Sequence, residues 1–319
     1  MCVRRLVLLA ILLTGCTTGS PQAAAPPQPT GTQSTSTPAS SLSCRLPVDS
    51  PTQAGEAPGG WITFPQGTFE RDPASLAIRV QDHVPSWDRA LNRWLPVERR
   101  FVAPDGLSYV INGHGDGFYL VDAVSGSRRQ VSGDGPDVAP GSWTVAAYDG
   151  VNLYLWSAGI ATAPGLWIVN VADKSVRRIG GDYYWDTVGS GIAWTIDPKV
   201  PTDLLRLDIA TGSITRSTVT SSRQARVIGT QGTRAIVFVD DTGSRQLLIA
   251  DATSVSVFPI PDNRFVWEVF ADRQGLWVPL PKAVLADRVF AGELALIGAS
   301  GKFEVVASVD VFAVAGGCL

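Results

Sequence analysis

From about residue 100 onward the chain is a succession of short apolar runs, each broken by a turn carrying Gly with Asp or Asn. The clearest unit is Gly117 to Gly126 (GFYLVDAVSG) followed by Ser127 to Val131, which predicts a strand, a tight turn and a second strand. The unit recurs over Gly165 to Lys174 with Ser175 to Ile179, and over Asp203 to Gly212 with Ser213 to Val219. It recurs again over Arg245 to Ile260 and over Glu293 to Val306. Asp or Asn ahead of the turn, and Gly within it, suit a hairpin that needs a positive φ. Upstream of each hairpin lies a second motif: a strand, a Gly turn and another apolar strand. Its copies are Phe101 to Val110, Ala146 to Leu155, Val188 to Trp194, Gly229 to Val237 and Ala271 to Trp277. Four strands in each repeat of about 45 residues predict the blades of an all-β propeller.

Five full copies leave two pieces over. Gly60 to Ala74 reads as a further hairpin, and Val309 to Ala315 as an apolar strand beside Cys318. A sixth blade closed by N- and C-terminal strands is the economical assembly. Seven blades follow only if Ala77 to Leu95 contributes extra strands. The stretch Ala103-Pro104-Asp105-Gly106 resembles the Ser-Pro-Asp-Gly turn of the WD40-like repeats in TolB-type six-bladed propellers, with the other four copies degenerate. That resemblance implies the same fold. The segment from Cys44 through Gly60 to Gly67 and on to Val97 is similar to the opening of uncharacterised secreted propeller lipoproteins of high-GC bacteria, which brings no activity with it.

The chain's start changes the picture. Arg4 and Arg5 precede an apolar run, Leu6 to Leu13, too short to span a bilayer. It ends in Leu13-Thr14-Gly15-Cys16, which resembles the bacterial lipobox; the alternative is an ordinary signal peptide with an incidental cysteine. The resemblance implies that residues 1–15 are a signal peptide and that Cys16 is lipidated and becomes the mature N-terminus, placing the protein outside the cytoplasm on a cell membrane. Thr17 to Ser41 holds Pro, Ser, Thr, Gln and Ala but no charged residue. Such composition cannot offset its ordering entropy, so residues 16–42 are expected to be a disordered tether and residues 43–319 the propeller. Of four cysteines, Cys2 leaves with the signal and Cys16 takes lipid, which leaves Cys44 and Cys318 at opposite ends of the domain. In an oxidising compartment a disulfide is the simplest pairing, with free thiols or a metal pair as alternatives.

Composition excludes one class of partner. With 26 basic and 29 acidic residues the net charge is −3, so nothing favours nucleic acid. His83 and His114, the only histidines, fall in connecting segments without Glu or Cys at metal spacing. Nucleophile-elbow, phosphate-loop and zinc-protease patterns are absent, and no catalytic, metal or cofactor residue is assigned. The run Asn112 to Gly117 lacks the acid of a calcium loop, where Ala123 stands, and a structural calcium near Asp240 and Asp241 stays open. Arg128, Arg129, Arg177, Arg178 and Arg216 are placed on outermost strands, where charge discourages edge pairing.

The tryptophans carry the remaining signal. Trp143, Trp185 and Trp267 each precede the Gly turn of their repeat, at the expected start of an inner strand, with Tyr183, Tyr184, Asp186 and Glu268 adjacent. Trp143, Tyr184, Trp185, Asp186, Trp267 and Glu268 form the candidate ligand funnel, suited to a sugar, a cation or a peptide side chain. The alternative is that these rings wedge between blades, as Trp156, Trp167, Trp194 and Trp277 are expected to do within their strands. The expected function is a lipid-anchored, monomeric binding or scaffold module with an envelope protein or glycan partner. The alternative is a glycan hydrolase or lyase using Asp186 and Glu268. A sensor or assembly subunit with a plugged funnel is a third reading.

Overall fold

A computed structural model of the chain describes residues 42–50, 56–77, 85–112, 117–131, 143–157, 163–220, 224–241, 243–285 and 288–319. The signal and lipobox assignments, both histidines and the tether up to residue 41 lie outside these residues; Leu42, the last residue assigned to the tether, is buried in the domain core.

Six blades surround a central axis, and the fold is all-β, with three short 3-10 turns among the described residues. From the axis outward, the first blade runs Ala313–Val314, Arg45–Asp49, Gly59–Thr63 and Thr68–Arg71. The third blade (Trp143–Tyr148 to Val176–Ile179) and the fourth (Thr187–Gly189 to Ile214–Thr218) are regular four-stranded meanders. So are the fifth (Ala225–Gln231 to Val255–Pro259) and the sixth (Phe270–Asp272 to Phe303–Ala307). The second is thinner: Ser108–Asn112, Phe118–Asp122 and Arg128–Gln130 pair normally, but its inner strand shrinks to one bridge, Val102 to Tyr109. Pro104 follows at once and cannot donate to a ladder.

The turns behave as their composition predicts. Asp122 Oδ1 accepts the backbone N–H of Val124 and Ser125, and Asp208 Oδ1 and Asp251 Oδ1 do likewise for the residues that follow them. Gly126 takes the positive φ of this turn in the second blade, whereas Lys174 adopts φ 62° in the third. There Asn170 Oδ1 binds two backbone N–H groups and holds the turn without glycine.

The first blade joins both ends of the chain. Val48 pairs with Val314, the backbone of Arg45 and Leu319 exchanges hydrogen bonds, and Cys44 is bonded to Cys318. Arg45–Asp49 is a strand the hydrophobic pattern did not announce, because Pro47 sits at its centre. The Pro47 carbonyl still accepts from Ala315 N at 2.9 Å, so the missing N–H costs nothing on that side.

The seven-blade alternative fails. Within Ala77 to Leu95 the described residues form one small hairpin, Ser86–Asp88 with Arg93–Leu95. That hairpin acts as a wedge beside the first blade. Trp87 and Trp94 pack on Trp61 with centroids 4.6 and 5.9 Å away, while Leu95 joins the core of the second and third blades. The indole N–H groups of Trp61 and Trp94 both donate to Asp72 Oδ2 at 2.9 Å. Asp72→Ala should therefore lower stability by about 1–3 kcal/mol for each orphaned donor, read as a lower urea midpoint; an unchanged midpoint would mean water replaces the carboxylate freely.

Elsewhere the core is interblade. Trp194, fully buried, packs with Val227 and Val237 of the next blade, and Trp277 joins Leu46 and Ile62 of the first. Arg128, Arg129, Arg177, Arg178 and Arg216 sit on outermost strands, as expected. Arg129 donates to the Val171 carbonyl and Arg216 pairs with Asp197, so some of them also tie neighbouring segments together.

Candidate functional site

The inner strands enclose a central channel of about 560 Å³ with a wall drawn from every blade: residues 98–100, 146–148, 186–188, 226–230, 267–271 and 314–315. Close approach of these strands explains one glycine. A Cβ on Gly189 would stand 2.4 Å from Thr230 Oγ1 on the adjacent inner strand.

The six funnel candidates divide. Asp186, Trp267 and Glu268 line the channel. Trp185 does not; it is fully buried between the third and fourth blades and donates from Nε1 to the Gly180 carbonyl at 3.3 Å. Extended backbone turns successive side chains to opposite sides, so the step that buries Trp185 turns Asp186 to the channel. Trp143 is also buried, edge-on to Trp167 at 5.6 Å, and borders a separate cavity of about 180 Å³ with Arg100 and Phe101. Tyr184 is partly buried, 6.1 Å from Trp156. Trp267 and Glu268 both reach the channel because residues 264–269 are irregular and need not alternate.

Sequence reasoning missed Glu98, Arg99, Arg100 and Arg226 on the same wall. The available signal was a charge at the head of an otherwise apolar inner segment, as in Ala225-Arg226-Val227. Arg226 is held by aromatic rings, its guanidinium 4.6 Å from the Phe265 centroid and 4.9 Å from that of Trp267. It also donates to the Val266 carbonyl. Burial lowers its pKa, opposed by the charge of Asp240. Arg100 lies 2.6 Å from Glu98, and Arg99 lies 3.3 Å from the buried Asp88.

The two sequence-predicted carboxylates are set differently. Burial pushes Asp186 up to about 6, opposed by the Thr195 hydroxyl that donates to Oδ2 at 2.9 Å. Glu268 is partly buried and lines the channel. Burial, reinforced by the charges of Glu98 and Asp49 and opposed by Arg100, pushes it up to about 7. Among the described residues no hydrogen bond or ion pair reaches the Glu268 side chain. Asp240, by contrast, holds Arg245 at 2.9 Å, and no group of three metal-ligating side chains occurs among the described residues.

A pH dependence follows. In the unfolded chain Glu268 titrates near 4.5, and in the folded chain near 7. Because the folded value is the higher, its contribution to stability is complete below pH 4.5 and is lost as pH rises through 7. Asp186 acts in the same sense near pH 6. Unfolding free energy should fall between about pH 5 and about pH 8 by on the order of 2–3 kcal/mol from Glu268 alone, and Glu268→Gln should flatten that fall. Urea unfolding at both pH values checks this; an equal slope in the variant would remove Glu268 as its source.

No protein-family model matches the chain, and no curated protein does. Solved structures do. A TolB-type protein from Agrobacterium tumefaciens aligns over 68% of this chain and 81% of its own at 17% identity, with a TM-score of 0.50. TolB from Acinetobacter baumannii aligns over 81% of this chain and 61% of its own at 14% identity, TM-score 0.48. An oligogalacturonate lyase in complex with manganese aligns over 78% and 70% at 10% identity, TM-score 0.46. At such identity the likeness speaks to the fold, a TolB-like six-bladed propeller, and not to a shared chemistry.

Proposed function

We propose that this protein is an extracytoplasmic, lipid-anchored propeller that binds an envelope protein or a cell-wall glycan. Residues 1–15 are removed, Cys16 carries the lipid, residues 16–42 form the tether and residues 43–319 the monomeric binding domain. The observation that carries the reading is the central channel. All six blades line it, Trp267 is 54% exposed beside it, and Glu268 faces it without a protein partner among the described residues. An exposed ring next to an unengaged carboxyl suits recognition of a polar ligand with an apolar body.

The test is photo-crosslinking in cells from position 267, with position 257 on the outer edge as reference. One abundant envelope component captured from 267 and not from 257 supports channel-mouth binding. Equal capture at both would move binding to the rim. Labelling with a palmitate analogue that is lost in Cys16→Ala supports the anchor, and labelling that persists would refute it.

A second reading is favoured by one observation. Asp186 and Glu268 share the channel, and a carboxyl raised to about 7 keeps its proton on a large share of molecules at neutral pH, as a general acid for glycan cleavage must. Release of new saccharide ends from cell-wall glycan, reduced a hundredfold or more by Glu268→Gln, would establish it. No release sinks it.

A further inference from the structure

The charges along the channel do not cancel locally. Each arginine on the wall is already engaged: Arg99 by Asp88, Arg100 by Glu98, and Arg226 by the Val266 carbonyl and the rings of Phe238, Phe265 and Trp267. Glu98 is likewise held, by Arg100, but Asp186 and Glu268 have no ion-pair partner among the described residues. Asp186 has one hydroxyl donor, from Thr195, and Glu268 has no donor among the described residues. An unpaired carboxylate crowded by protein is costly, and it resolves that cost by taking a proton or by taking a cation. Below about pH 7 the empty channel leaves the proton on Glu268, and a ligand cation would displace it.

The shape of the surroundings narrows the cation. The flat stacking position beside Trp267 is occupied by the Arg226 guanidinium, so a second planar cation finds no open counterpart there. A compact ammonium needs no planar face and reaches a single carboxylate as a point charge. The exposed part of the Trp267 indole offers apolar surface for the methylenes behind it.

We propose that the channel binds one alkylammonium group, taken up by Glu268 with Asp186 as the second carboxylate of the same channel and with Trp267 against its hydrocarbon stem. The source is a lysine side chain on a partner polypeptide or a free polyamine. This rests on the binding reading above and specifies its ligand. The charges that act on Glu268 are those of Glu98, Arg100 and Asp49; Asp186 accepts from the Thr195 hydroxyl. Two of the three charges around Glu268 are negative, so its surroundings also favour an incoming cation.

The test is calorimetric titration of the full-length protein in detergent, with three probes: Nα-acetyl-lysine methylamide, cadaverine and the neutral 1,5-pentanediol. Saturable binding of an amine and none of the diol is expected at about pH 8. Affinity should fall about tenfold or more at about pH 5.5, where Glu268 is protonated before the amine arrives. Near pH 7 binding should release a proton, read as a heat that differs between buffers of different ionisation enthalpy. Glu268→Gln should abolish both the binding and the proton release, and Asp186→Asn should weaken binding. The thermal unfolding of both variants serves as the folding control. Binding of the lysine amide supports a polypeptide source, and binding of cadaverine alone supports a free polyamine. Absence of amine binding, equal binding of the diol, or binding indifferent to pH and to Glu268→Gln overturns the proposal. A partner captured from position 267 without amine binding sinks only this inference. Amine binding without any captured partner sinks only the protein-partner reading.

Discussion

Trp185→Ala is expected to lower the folding stability by about 3–5 kcal/mol, because it empties a fully buried indole site between two blades that cannot collapse onto the gap. Leu205, Leu207, Ile168 and Leu166 all pack in the same cluster and would lose contact at once. Trp267→Ala, at a residue 54% exposed, should change stability by less than about 1 kcal/mol and instead weaken whatever the channel binds. The contrast is the informative quantity, since both residues precede a carboxylate and occupy equivalent places in their repeats. Urea unfolding of the two variants measures it. A Trp185→Ala variant neutral in stability but harmful to binding would overturn the assignment of Trp185 to the interblade core and Trp267 to the channel wall.

The second large effect concerns closure of the ring. Replacing both Cys44 and Cys318 by alanine should cost roughly 5 kcal/mol, because the bond closes a loop with a sequence separation of 274 and restricts the unfolded chain accordingly. The contacts around it are also ring-closing. Ala315 N bonds the Pro47 carbonyl, and Cys318 N donates to Asp272 Oδ2 of the sixth blade at 2.8 Å. Hydrogen exchange should therefore show the first blade opening before the fourth in the doubly substituted chain. Uniform exchange across all blades would mean that closure does not depend on the bond.

Much of the fold was legible because its devices are local. Alternation of apolar residues, an Asp or Asn that binds the backbone N–H groups two and three residues on, and a residue with positive φ at the outer turn of every blade but the fifth act within a few residues. Even the fusion of both termini in one blade could be anticipated, from what five complete repeats left over. The missed strand Arg45–Asp49 shows the limit, for Pro47 masks a strand whose pairing is decided by Val314 at the far end of the chain. The hairpin Ser86–Asp88 with Arg93–Leu95 was ambiguous for a similar reason. Its role as a wedge depends on Trp61 and Asp72, which lie outside its own sheet.

The site was less legible than the fold. Repeat position selected Trp143, Trp185 and Trp267 equally, yet only Trp267 stands on the channel wall, because its segment, residues 264–269, is irregular, whereas alternation of extended backbone turns Trp185 into the core and Asp186 to the channel. Arg226 escaped notice because its partners, the Val266 carbonyl and the Phe265 and Trp267 rings, lie some 40 residues away, and Glu98 and Arg100 because they precede the strands of the repeat pattern. What the sequence by itself determined was the repeat, the strand periods and the turns, all set by short-range stereochemistry and composition; it left one cysteine near each end of the domain, and closure of the ring brings the two together. Only the tertiary structure decided which charged groups share the channel and which of them are already paired. Burial and Coulomb interaction act through space between different blades, so the perturbed carboxyl of Glu268 exists only once the ring is closed.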